Sequence, residues 1–157
     1  MTSLIIFYSR TGTTKKVAEL ISEHLSCDIE EIFDEKDRSG KIGYMKAGKD
    51  AMRKKLTTLK NYNKDPSSYD LMLIGTPIWA WNMSTPIRTY ITENKDKFKN
   101  VAFFCTEGSS GGDKCFENMS ILCDKKPLAT LELNAKEIKD GLYLDKIKAY
   151  TNKISNT

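Results

Sequence analysis

The chain has 157 residues, 39% of them hydrophobic and 29% charged, with a formal net charge of +4. That size suits one domain around one buried core, and the composition is that of a soluble globular protein rather than a disordered or fibrous one. Apolar runs such as residues 71–74 fall far short of the roughly 20 residues of a membrane span, and the N-terminus shows no features of a secretory signal, so the expected location is the cytoplasm.

In chain order, Leu4-Ile5-Ile6-Phe7-Tyr8 is a continuous apolar, β-prone run, the pattern of a central parallel strand covered on both faces. A short polar stretch separates it from a helical pattern in which Val17, Ala18, Leu20, Ile21, His24 and Leu25 recur at spacings of three and four. Residues 28–33 alternate only roughly and read as an edge strand. A long polar connection over residues 34–66 follows. Within it, residues 44–59 place Met45, Ala51, Met52, Leu56 and Leu59 at loosely helical spacing among bases, which predicts one basic amphipathic helix. Residues 70–74 predict a second buried strand, ending at Gly75-Thr76-Pro77. Pro86 suits the first turn of a helix through Arg88, Tyr90 and Ile91. Residues 100–105 predict a third apolar strand, 114–123 a helix, 128–133 a last strand and 144–154 a closing helix. Strands alternating with helices in this way predict a single α/β domain: a parallel sheet with right-handed crossovers and helices on both faces.

The cysteines, Cys27, Cys105, Cys115 and Cys123, include no C-x-x-C pair, and His24 is the one histidine. A zinc or other metal site is therefore not expected, and the thiols read as reduced, small apolar side chains. Charge is unevenly spread. Residues 36–60 hold nine bases and two acids, a surplus of seven, which leaves −3 for the remainder. This stretch reads either as a solvated face or as a surface that steers an acidic partner. It lacks the interleaved aromatics or recognisable motif of a nucleic-acid site.

Ligands of open parallel sheets bind beyond the carboxyl ends of the strands, near the point where strand order reverses. Three strand ends here carry residues suited to binding. The first, Ser9-Arg10-Thr11-Gly12-Thr13-Thr14, gathers hydroxyls, an arginine and a glycine at a helix N-terminus, where free N–H groups and the helix dipole favour an anion. A Ser/Thr-rich cap with no ligand has the same composition. The second, Gly75-Thr76-Pro77-Ile78-Trp79-Ala80-Trp81-Asn82-Met83, holds both tryptophans of the chain. A ring there either stacks on a flat ligand, Trp79 being the first candidate, or packs beneath the loop. The third, Thr106-Glu107-Gly108-Ser109-Ser110-Gly111-Gly112, either lets the backbone run close along a ring edge or is an ordinary glycine-rich surface loop.

Residues 8–18, Tyr8-Ser9-Arg10-Thr11-Gly12-Thr13-Thr14-Lys15-Lys16-Val17-Ala18, resemble the phosphate-loop signature at the N-terminus of flavodoxins. Residues 75–83 are similar to the ring-contacting loop of a flavodoxin-like group with Pro and Trp there. The order and spacing of the three loops resemble that family over nearly the whole chain. The resemblance implies a short-chain, flavodoxin-like three-layer sandwich with a five-stranded parallel sheet in 2-1-3-4-5 order, holding noncovalent FMN. It implies Ser9, Arg10, Thr11, Gly12, Thr13 and Thr14 at the phosphate. Thr76, Pro77, Ile78, Trp79, Ala80, Trp81 and Asn82 would cover the ring, and Thr106, Glu107, Gly108, Gly111 and Gly112 would bound its edge. Two features depart from the family pattern: the net basic charge, where many flavodoxins are acidic, and the third loop without an aromatic.

The family's usual work implies electron transfer between redox proteins through FMN, with no catalytic acid or base. The alternative is an FMN-dependent NAD(P)H:quinone-type oxidoreductase, which would use the same loops with an open ring face, although no nicotinamide-binding fingerprint is present. Regulatory domains of similar topology fit poorly. A phosphoacceptor receiver wants acids where Ser9-Arg10 and Gly75-Thr76 stand, and a phosphatase wants a cysteine nearer the first loop than Cys27.

Overall fold

The computed structural model describes residues 1–157 and runs β1 (Ser3–Phe7), α1 (Thr13–Leu25), β2 (Asp28–Glu31), α2 (Gly40–Met52), β3 (Leu71–Trp79) and β4 (Asn82–Met83). It continues with α3 (Thr85–Asn94), β5 (Asn100–Glu107), α4 (Gly112–Cys123), β6 (Thr130–Asn134), α5 (Ala135–Asp140) and α6 (Tyr143–Ser155). Successive side chains of a strand point to opposite faces, and in the central strands both sets are apolar. Leu4, Ile6, Met72, Ile74, Val101 and Phe103 meet Ala47 and Ala51 of α2, Ile87, Tyr90 and Ile91 of α3, and Phe116 and Met119 of α4. Ile5, Phe7, Leu71, Leu73, Ala102 and Phe104 meet Val17, Ala18 and Ile21 of α1 and Ile147, Tyr150 and Ile154 of α6. Two cores, one on each side of the sheet, follow directly from this two-faced hydrophobicity.

The parallel strands lie in the order β2-β1-β3-β5-β6, with the short β4 paired antiparallel to the end of β3. Setting β4 aside, this is the 2-1-3-4-5 arrangement predicted from the sequence. Strand order reverses between β1 and β3, so the carboxyl ends of β1, β3 and β5 converge where a ligand site is expected.

The second loop differs from its expectation. Residues 75–79 continue β3, and residues 75–83 form a hairpin rather than an open loop. Ala80 and Trp81 both take left-handed backbone angles (φ 49° and 59°), as a tight two-residue hairpin turn requires. Gly75 lies within the strand, paired with Phe104 on β5, and is glycine there because a Cβ would stand 2.0 Å from the Phe104 ring. Pro77 is tolerated because β1 pairs with β3 only as far as Gly75, which leaves an unpaired edge beyond it.

The basic helix is also displaced. It spans Gly40–Met52 rather than residues 44–59, and the chain leaves it with Lys54 in a left-handed conformation (φ 54°). Leu59 instead bridges Asp34. Helix α5 lies outside the elements predicted from the sequence. It begins with a reciprocal capping box, Asn134 accepting the Glu137 N–H and Glu137 accepting the Asn134 N–H. No helix is long and apolar enough to cross a membrane.

Candidate functional site

The N-cap position of helix α1 supplies no side-chain cap of its own. Its N-cap residue, Gly12, sits at φ 98°, and no acid occupies the first turn. The preceding loop curls around Ser9, whose Oγ accepts the N–H groups of Gly12 (3.0 Å) and Lys15 (3.2 Å). The N–H groups of Thr13 and Thr14 have no intrahelical acceptor, as in the first turn of any α-helix. The positive end of the helix dipole is thus uncompensated and faces the strand ends. Thr14 itself is buried, its hydroxyl 2.8 Å from that of Thr106, and this contact fastens the first loop to the third.

Between these loops lies a cavity of about 260 Å³. Arg10, Thr11, Thr13 and Thr14 line one side, and Pro77, Ile78 and Trp79 of the hairpin line another. Thr106, Glu107 and Gly108 complete the set drawn from the three loops. Tyr44 of α2 and Ala135 and Ile138 of α5 also line it, and sequence reasoning missed all of them. The Asn134/Glu137 capping box was a readable signal for α5. Tyr44 had no such signal, since only the fold sets its ring 5.2 Å from the Arg10 guanidinium.

The other expected site residues stand behind or beside the cavity. Ser9 and Gly12 shape the first loop. Thr76 is buried, its hydroxyl accepting the Ser84 N–H (2.9 Å) and lying 3.1 Å from the Ser84 hydroxyl. Asn82 accepts the N–H of Met83 (2.9 Å) within the hairpin. Gly112 donates its N–H to Glu132 (3.1 Å), and Gly111 lies against Trp81. The two tryptophans have opposite environments. Trp79 is 4% exposed, with the Tyr8 ring edge-on at 5.4 Å and the Arg38 guanidinium 5.3 Å over it, so it contributes a fixed wall. Trp81, at the hairpin tip with Ala80, is 66% exposed.

Charge behind this wall is organised. Arg38 donates to Asp34 and Asp50 and is buried with Asp34, so it is not one of the free bases of the basic stretch. Burial alone would raise the Asp50 carboxyl, but Arg38, with Lys36 and Lys55, outweighs it and holds the group below the usual carboxylate range. Burial, with Asp34 nearby, pushes the Tyr8 phenol up to about 12. On the cavity side, burial and the adjacent Glu132 carboxyl push Glu107 up to about 8. The four thiols are unpaired, and burial pushes Cys115 up to about 12, so it is no nucleophile. An anion-favouring end and a flat apolar wall in one cavity suit a ligand with a phosphate at one end and a planar body at the other.

The family model described as Flavodoxin matches residues 2–154. The chain belongs to the flavodoxin family. No curated protein matches it. Among solved structures, this flavodoxin-family chain is similar to a flavoprotein from Lactobacillus acidophilus in complex with FMN. The two share 24% identity and a TM-score of 0.73, over 88% of this chain and 97% of that one. It is similar to the two-electron reduced flavodoxin of Megasphaera elsdenii, at 17% identity and TM-score 0.56, over 85% and 86% of the two chains. An apo NADH:FMN oxidoreductase is 14% identical, with TM-score 0.58, over 99% of this chain and 88% of that one. At these identities the likeness establishes a shared fold.

Proposed function

We propose that this flavodoxin-family chain binds FMN noncovalently and carries electrons between redox proteins. The observation that supports this reading is the single cavity at the strand-order reversal, with the α1 N-terminus and Arg10 at one end and the Pro77–Trp79 wall at the other. Arg10, Thr11, Thr13 and the first-turn N–H groups of α1 would hold the phosphate. Ile78, Trp79 and Tyr44 would flank the ring, and Thr106, Glu107 and Gly108 would lie along its edge. When bound, FMN supplies one- and two-electron redox chemistry; the protein contributes binding, orientation and local charge. The FMN held by the Lactobacillus acidophilus flavoprotein of the same fold supports the assignment.

The surface beside the cavity favours a carrier. Beside the cavity, Arg10 and Lys41 alternate with the exposed Tyr44 and Met45 around a shallow depression. A basic rim around apolar side chains suits an acidic redox protein of the cytoplasm, where four unpaired thiols stay reduced. The third loop, without an aromatic, favours the second reading, an FMN-dependent NAD(P)H:quinone oxidoreductase with one ring face uncovered.

Anaerobic potentiometric titration of the FMN-loaded protein, followed by absorbance, separates the two. Two resolved one-electron steps support the carrier. One two-electron step, with NAD(P)H-driven quinone reduction, supports the reductase. A chain that does not retain FMN after gel filtration refutes both.

A further inference from the structure

Glu107 ends β5 and lines the cavity. Its Oε2 is buried, and no N–H or O–H group of the protein donates to it. The β5–β6 register, which pairs Cys105 with Glu132 and Glu107 with Asn134, sets the Glu132 carboxyl of β6 on the same face of the sheet beside it. Glu132 is held in place. Its Oε1 accepts the Gly112 N–H (3.1 Å), and its carboxyl carbon lies 2.2 Å from where a Cβ of Gly112 would stand.

The surrounding elements bring no free cation to the pair. Helix α5 adds a third acid, Glu137, and α4 adds Asp113 in its first turn and the inert thiol of Cys115. Helix α6 contributes Lys146, whose ammonium is ion-paired with Glu137 and donates to the Glu132 backbone carbonyl (3.3 Å) rather than to either carboxyl of the pair. Two carboxyl groups in contact with no cation between them cannot both ionise without strong repulsion.

We propose that Glu107 holds a proton at neutral pH beside the Glu132 carboxyl, so that the third loop presents an uncharged Glu107 side chain to the ligand in the cavity. The identity of that ligand rests on the FMN reading; the proton on Glu107 is a property of the chain alone. A neutral Glu107 spares an anionic cofactor a like charge at short range. The proton is bound more tightly in the fold than in an unfolded chain, so it is lost only as pH rises above neutrality. Ligand affinity then falls with rising pH, as Glu107 becomes charged.

The first readout needs no cofactor. In the ligand-free protein with isotope-labelled glutamate carboxyls, an NMR titration shows one glutamate protonating above about pH 6.5, beyond the ordinary range near 4.3. That signal is absent in Glu107→Gln, and in Glu132→Gln it moves to lower pH while burial still holds it above the ordinary range. If every glutamate of the wild-type protein titrates below about pH 6, the proton on Glu107 is refuted. The second readout is FMN affinity from quenching of flavin fluorescence. Wild-type affinity falls about tenfold between about pH 6 and about pH 9, while Glu107→Gln, which keeps a donor and cannot ionise, is flat. An equal pH dependence in wild type and Glu107→Gln refutes the role in binding. A raised titration in a protein that binds no FMN leaves the proton on Glu107 standing and removes the flavin reading.

Discussion

Replacing Arg38 by Leu tests the charge network behind the cavity wall. The guanidinium is 2% exposed, lies between Asp34, equally buried, and Asp50, and covers the Trp79 ring. Removing one member of a buried ion pair costs about 3–5 kcal/mol, because the remaining charge is left without compensation. The lower end applies here. Asp34 keeps the N–H of Lys36 (3.0 Å) and the Thr57 hydroxyl (2.8 Å), and Asp50 keeps Lys36 at 3.8 Å and Lys55 at 4.0 Å. The expected loss is therefore about 3 kcal/mol, a large share of the 5–15 kcal/mol that holds a typical domain together. The cost is also pH-dependent. Asp50 is held below the usual carboxylate range in the fold, so its contribution is present above the unfolded value and is lost as pH falls through the folded one. The difference between wild type and Arg38→Leu is thus largest at neutral pH and narrows towards about pH 4, as the stranded Asp50 carboxylate takes up a proton. Urea unfolding followed by circular dichroism at both pH values measures it, and adding Asp34→Asn to Arg38→Leu restores part of the loss. A difference below about 1 kcal/mol at neutral pH, or one that widens on acidification, refutes the assignment of a compensated buried network.

The remaining predictions concern the cavity and its rim. A Cβ at Gly12 would meet no atom within 4 Å, so Gly12→Asp leaves the fold intact at the cost of local strain at φ 98° and sets a negative charge at the α1 N-terminus. FMN affinity falls by at least about tenfold in a fluorescence titration, and unchanged affinity removes this loop from the site. Gly75→Ala drives a methyl into the Phe104 ring and costs about 1–3 kcal/mol in urea unfolding; a neutral result means β3 and β5 are less closely packed. Trp79→Ala costs about 3 kcal/mol and lowers FMN affinity, whereas Trp81→Ala changes stability by less than about 0.5 kcal/mol and leaves affinity intact. An affinity loss confined to Trp81→Ala identifies the exposed ring as the one that meets the flavin. Lys41→Glu slows electron transfer to an acidic redox protein at low salt, with the difference vanishing at high salt; a salt-independent rate shows that the basic rim takes no part in docking.

Local sequence carried the layered α/β architecture because burial on both faces of a parallel strand leaves a continuous apolar run, and burial on one face of a helix leaves a period near 3.6. The first loop was legible for a related reason: Ser9, Gly12 and Thr13 act through the backbone of their own turn. The hairpin at residues 75–83 was not legible. Gly75 and Pro77 read locally as chain breakers, and only the Phe104 ring and the end of β1 at Phe7 make them strand residues. The nine bases of residues 36–60 include Arg38, yet Asp34, Asp50 and Trp79 enclose it in the fold, and no local pattern distinguishes it from the exposed ones. The capping box that starts α5 stood in the sequence; Tyr44 facing Arg10 did not.

The sequence by itself thus determined which segments are buried, their periods and the turn chemistry of the loop over residues 9–14, all set by interactions within a few residues. The tertiary structure alone decided which side chains meet: Thr14 bonded to Thr106 at a separation of 92 residues, Glu107 set against Glu132, and Trp79 buried while Trp81 is exposed. Parallel strands are joined by long crossovers, so side chains that share a strand end are distant in the chain, and no local pattern records which of them will touch.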